Sequence, residues 1–243
     1  MSLKWDRTKG KPEPVASLDR VKLTESGEPL VSLVEFCPKV RLARPQVIPY
    51  LRENVAKMLA EASESLPPGI FLAVIDAWRP FARQVRIFEY MWNCAKEAYP
   101  ERNEASLRRT VNRWVAPVNR PSPPGHCTGA AVDVWLVDAN DEILDVTSPY
   151  GRFQSSPTYS FGLTEQAQAN RTLLIESMLS VGFSNCRDEW WHYSWGDAGW
   201  AVRMGLEECH YGLAEIAPEL YAEQERLSEL AFRDRSNPFL EGR

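Results

Sequence analysis

Pro121–Val146 reads PSPPGHCTGAAVDVWLVDANDEILDV, and its second half decides the fold class. Ala130 to Val137 is an apolar run of strand length. Asp138-Ala139-Asn140-Asp141 follows as a turn, and Glu142 to Val146 has the composition of a returning hairpin partner. A hairpin at the centre of a chain that otherwise mixes helices and strands predicts an α+β fold: a central antiparallel sheet with helices packed on it. The first half of the stretch cannot be helical, because Pro117, Pro121, Pro123 and Pro124 precede and fill it. It would hold His126 rigidly, with Gly125 and Gly129 on either side to let the backbone turn sharply.

Toward the N-terminus, Leu51, Val55, Met58, Leu59, Ala62 and Leu66 recur at helical spacing until Pro67-Pro68-Gly69 stops them. Ile70 to Ile75 is an apolar strand that ends in Asp76-Ala77-Trp78-Arg79-Pro80. Pro80 opens a helix running to about Ala98, with Val85, Phe88, Met91, Trp92 and Ala95 on its buried stripe. A third helix is predicted from Glu104 to Val115. Leu30 to Phe36 reads as a short strand, and residues 1–29, broken by Pro12, Pro14, Gly27 and Pro29, as an arm over the core. Toward the C-terminus, residues 147–163 are loop. Thr164 caps a helix that Gly182 closes, and Glu189 to Trp195 is aromatic and β-prone. Leu213 to Phe232 is predicted helical, with order ending at Ser236-Asn237-Pro238. The expected organisation is an arm (1–29), a central domain (30–195) and a helical extension packed on the same domain (196–243), with no internal repeats.

The 243 residues are 44% hydrophobic and 25% charged, as in a globular protein. A net charge of −5 without a basic stripe excludes a general nucleic-acid binder, which needs clustered Lys and Arg to release counterions. No run approaches the ~20 apolar residues of a membrane span, and the N-terminus has no apolar leader core. Five scattered cysteines without Cys-x-x-Cys pairs fit reduced thiols. These features predict a cytoplasmic protein that does not bind membranes.

Two of the chain's three histidines fall in chemically suggestive segments. His126, Asp133 and His192 would make three ligands for zinc and leave one position for water, as a catalytic site requires. Glu189 would then be a carboxylate beside that water. Each residue also has a plainer reading. His126 alone is weak ground. Asp133, on an otherwise apolar strand, needs a metal, a cation or backbone N–H groups to compensate its burial. Glu189 and His192 are three apart, which suits one face of a helix but opposite faces of a strand. Both can serve one metal only if the backbone near Glu189 is a turn or a bulge; otherwise Glu189 is exposed and the Trp pair is core. Arg79, at a strand end, would hold a carboxylate or a developing oxyanion, or else pair with Asp76. His210 has no partner at ligand spacing and is read as a bystander.

Together, DAWRP, GHCTGAAVD and DEWWHY resemble the D-alanyl-D-alanine dipeptidases of the VanX type, part of a wider group of zinc peptidoglycan peptidases that also looks like the hedgehog signalling domain. The resemblance spans about residues 30 to 195, with the motifs in family order. It implies one zinc ion on His126, Asp133 and His192. It further implies Glu189 as general base, Arg79 as stabiliser of the tetrahedral intermediate, and a small dipeptide as substrate. Two positions depart from the pattern: Pro123-Pro124-Gly125 replaces a serine, and Gln154, after Arg152-Phe153, replaces an aspartate. Both family residues are associated with the substrate's ammonium group. The rival functions are a carboxypeptidase acting on longer peptidoglycan stems and a zinc-bearing binding module without turnover. The C-terminal helix, outside the resemblance, would serve as a lid or as a contact in a homo-oligomer.

Overall fold

The computed structural model describes residues 14–151, 154–233 and 235–240. Of the expected arm, residues 1–13 lie outside the described residues, as do Arg152 and Phe153. The described arm starts with one helical turn, Val15–Leu18 (α1), and a short strand, Lys22–Leu23 (β1). Leu30–Ser32 (β2) is a strand, but the rest of the expected one is a helical turn, Leu33–Phe36 (α2), which buries Leu33. Arg41–Leu42 (β3) and Tyr50–Arg52 (β4) follow, and β4 pairs antiparallel with β2. Glu53–Glu64 (α3) buries Val55, Met58, Leu59 and Ala62, the stripe expected from the sequence.

Phe71–Asp76 (β5) leads through Pro80 into Phe81–Ala98 (α4). Glu104–Val111 (α5) is capped by Asn103, whose side chain accepts from Ser106 N–H. After Ala131–Val137 (β6) and the loop, Thr164 accepts from Ala167 N–H to cap Glu165–Ser180 (α6). Ser184–Asn185 (β7), His192–Ser194 (β8), Ala198–Met204 (α7), Glu208–Cys209 (β9) and Ala222–Arg233 (α8) complete the described chain.

The main sheet has the order β3-β5-β6-β8-β7, antiparallel throughout except for the parallel edge pair β3–β5. The fold is α+β. β5 and β6 carry Leu72, Val74, Val132, Val134 and Leu136 into one core with Val55 and Leu59 of α3 and Leu174 and Met178 of α6. A second cluster joins α4 and α5 through Met91, Ala95, Leu107 and Val111.

Two local expectations need correction. Glu142–Val146 is no strand: it meets β6 at a single bridge, Val137 with Ile143, supported by Leu144 N–H to the Leu136 carbonyl at 3.0 Å. The same edge of β6 is taken from Ala131 to Asp133 by β8, and Val134 N–H donates to Trp191. Little of that edge is left for the returning segment. Order also does not end at Ser236. Asn237 Nδ2 donates to the Cys94 carbonyl at 2.9 Å, and Phe239 packs on Tyr99 with centroids 6.0 Å apart. Residues 196–211, expected as part of an extension packed on the same domain, touch both the core and the arm. Tyr211 belongs to the main core, and β9 pairs parallel with β1.

Candidate metal centre

Strand register builds half of the site. Asp133 of β6 is paired directly with His192 of β8. Strand alternation turns Asp133 away from the face on which Val132 and Val134 enter the core. The other half is a single 3-10 turn, Gly125–Thr128, which carries His126 and ends at Gly129 in the left-handed region, φ 73°. His126 is buried, and its Nδ1 lies 2.9 Å from the Ala77 carbonyl, to which it donates. That bond turns the Nε2 edge of the ring toward Asp133 Oδ1, 3.3 Å away. His192 Nδ1 is 2.9 Å from the same oxygen. Ligand atoms of the three side chains all lie within 4.8 Å of one another.

The electrostatics follow from this crowding. Burial alone would raise the Asp133 pKa, but the facing His126 and His192 rings outweigh it and hold the carboxyl well below its usual range. Burial likewise opposes the charged form of His192. The hydrogen bond to Asp133 and the charges of Asp133, Glu189 and Asp197 prevail and push it up to about 9.

Glu189 stands at the start of a turn rather than in the strand, and His192 N–H donates back to the Glu189 carbonyl at 3.2 Å. The three-residue spacing is thereby reconciled with β8: a turn delivers Glu189 and the strand delivers His192 to one cavity. Arg79 is held at the end of β5. Its Nε donates to Asp76 Oδ2 at 3.0 Å, its Nη2 to the same oxygen and its Nη1 to Gln84 Oε1. Its backbone N–H reaches the His126 carbonyl at 3.1 Å. The pairing with Asp76 and a place in the cavity, alternatives from sequence, are both present. His210 instead packs among Trp195, Trp200 and Tyr211.

These groups share a cavity of about 490 Å³. Its walls draw on both ends of the described chain, with Val15, Leu18 and Asp19 on one side and Arg235 and Pro238 on another. Pro124 is part of the lining. Gln154 is not: its side-chain oxygen accepts from Gly151 N–H at 3.3 Å. Sequence reasoning missed Asp197, which is 3% exposed and also lines the cavity. The signal for it was Gly196-Asp197 ahead of Ala-Gly-Trp-Ala-Val, a helix start after an aromatic strand; Asp197 does cap α7.

Comparison with known proteins places this geometry in context. A family profile described as D-ala-D-ala dipeptidase matches residues 38–210. The D-alanyl-D-alanine dipeptidase of Synechocystis sp. (strain ATCC 27184 / PCC 6803 / Kazusa) is 33% identical over 178 residues, 63% of this chain and 72% of its own length. Among solved structures, VanYB in complex with D-alanine-D-alanine is similar at a TM-score of 0.45 and 16% identity, over 79% of this chain and 94% of that one. A mutant of the D,D-pentapeptidase VanY in complex with Zn(II) gives 0.43 and 16%, over 78% and 95%.

Proposed function

The chain belongs to the D-ala-D-ala dipeptidase family and is an enzyme, and from that premise we propose that it hydrolyses D-alanyl-D-alanine to two D-alanine, using one zinc ion held by His126, Asp133 and His192. The observation that carries this reading is the convergence of those three ligand atoms within 4.8 Å, in one cavity with Glu189 and Arg79. The donor set fits zinc: two imidazoles and a carboxylate would hold it, with His126 oriented by its bond to the Ala77 carbonyl. When bound, zinc supplies Lewis acidity toward a water and toward the scissile carbonyl.

Glu189 is the general base. From its turn it takes the proton of the attacking water and returns it to the nitrogen of the departing D-alanine. Arg79 is the electrostatic stabiliser. A guanidinium has five N–H groups. Three are engaged by Asp76 and Gln84, so one on each terminal nitrogen is left for the oxygen that gains charge. Asp76 thus fixes the direction of Arg79 rather than competing with its role. The substrate in this reading is a small dipeptide of peptidoglycan metabolism, and the enzyme works in the cytoplasm. No helix among the described residues is long and apolar enough to cross a membrane.

The test is D-alanine release from D-alanyl-D-alanine by the zinc-loaded protein, beside Glu189→Ala and a series of longer stem peptides. We expect release from the dipeptide. In Glu189→Ala it should fall by roughly 10²–10⁴-fold while the zinc content is unchanged. Release that is indifferent to Glu189, or a preference for longer peptides, would refute the reading.

A further inference from the structure

Building on the dipeptidase reading, we propose that Asp197 is the anchor for the substrate's free α-ammonium group and so determines that the enzyme requires an unblocked amino end. The residue is 3% exposed, in the connection between β8 and α7. Its two oxygens are used differently. Oδ1 accepts from Ser194 Oγ and from Trp200 N–H, each at 2.6 Å, and so is fully occupied in capping α7. Oδ2 accepts from no described residue, and Asp197 lines the catalytic cavity. A carboxylate on a residue this buried gains when a cation meets its remaining oxygen.

Position identifies the cation. Gly125 leaves the space that Oδ2 occupies: a Cβ on residue 125 would collide with that oxygen. Gly125 directly precedes the ligand His126, so the carboxylate stands beside the metal centre. In a dipeptide, the α-ammonium is separated from the scissile carbonyl by one carbon. With the carbonyl at the metal centre, the ammonium's partner must lie next to that centre, as Asp197 does. The cavity's other carboxylates are engaged elsewhere: Asp133 between His126 and His192, Asp188 on Arg187, Asp19 on Arg120, and Glu189 in proton transfer.

Asp197→Asn tests the assignment, because asparagine caps a helix as well as aspartate and keeps an acceptor for Ser194. Binding is measured to zinc-loaded Glu189→Gln protein, which does not turn over, with and without Asp197→Asn. The ligands are D-alanyl-D-alanine and propionyl-D-alanine, which has the same skeleton without the amine. We expect the dipeptide to bind roughly tenfold to a hundredfold tighter in the parent, as a charge-assisted contact implies. That preference should vanish in Asp197→Asn with melting temperature and zinc affinity unchanged. A preference that survives the substitution overturns the assignment. So does a fall in zinc affinity with both ligands weakened alike, which would make Asp197 a support for His192 instead. Absence of hydrolysis of any peptide by the unsubstituted enzyme would remove the dipeptidase reading itself, a result distinct from loss of amine preference.

Discussion

Asp133 and His192 face each other across β6 and β8 as an acid and a base, so the metal-free site already holds an ion pair. His192, raised to about 9, is protonated at neutral pH. Its contribution to stability is complete below the ordinary imidazole value and is lost as pH rises through about 9. Asp133 is depressed, so its contribution is present above the ordinary carboxyl range and is lost on acidification. The metal-free protein should therefore gain most from this pair at mildly acid pH and lose that gain toward pH 9. A metal ion must displace the proton on His192. Zinc uptake at pH 7 is expected to release about one proton. Titration calorimetry in two buffers of different ionisation enthalpy reads this directly, and a heat independent of buffer would contradict it.

Elements with a long, regular pattern were legible in the sequence. α3, α4, α6, β5 and β6 fall where periodicity and breakers put them, because their burial depends on residues within the element. Glu142–Val146 did not, since competition for one edge of β6 is settled by β8, fifty residues later in the chain. α7 and β9 are too short to display a period at all. The turn bearing His126 depends on Gly129, whose φ is positive and whose added Cβ would collide with Leu30 Cδ2. Gly129→Ala should cost about 1–3 kcal/mol in urea unfolding and impair zinc binding by moving His126. An alanine variant as stable as the parent would show that the turn relaxes freely. At the other end, Glu225 of α8 reaches Arg83 and Arg86 of α4, and Arg83 is 4% exposed. Glu225→Gln leaves that guanidinium with the carbonyls of Gln46 and Gln224. It is expected to lose about 1–3 kcal/mol, seen as a lower melting temperature.

For the whole molecule, the three motifs pointed to residues that the fold does bring together, His126, Asp133, His192 and Glu189 around one cavity, because each lies in a short segment of distinctive residue types. The cavity's outer walls and Asp197 were not legible, since distant parts of the chain converge on them. A metal that binds only the folded chain stabilises it by mass action, ~2.7 kcal/mol at a hundredfold excess over Kd. Chelation should therefore lower the melting temperature by several degrees, with zinc restoring it; an unchanged transition would mean that the site is not coupled to folding. The parallel pairing of β1 with β9 joins Lys22 to Glu208, 186 residues apart, and Val15, Leu18 and Asp19, just ahead of β1, wall the cavity. During synthesis, at about 5–20 residues per second, the arm waits on the order of ten to forty seconds for its partner strand to exist. Ribosome-bound chains stopped before residue 208 should therefore be cleaved readily by protease in the arm, and released chains should resist. The cavity gains its last described wall only once Arg235 and Pro238 have been made, so a chain stopped before residue 208 cannot yet hold a substrate.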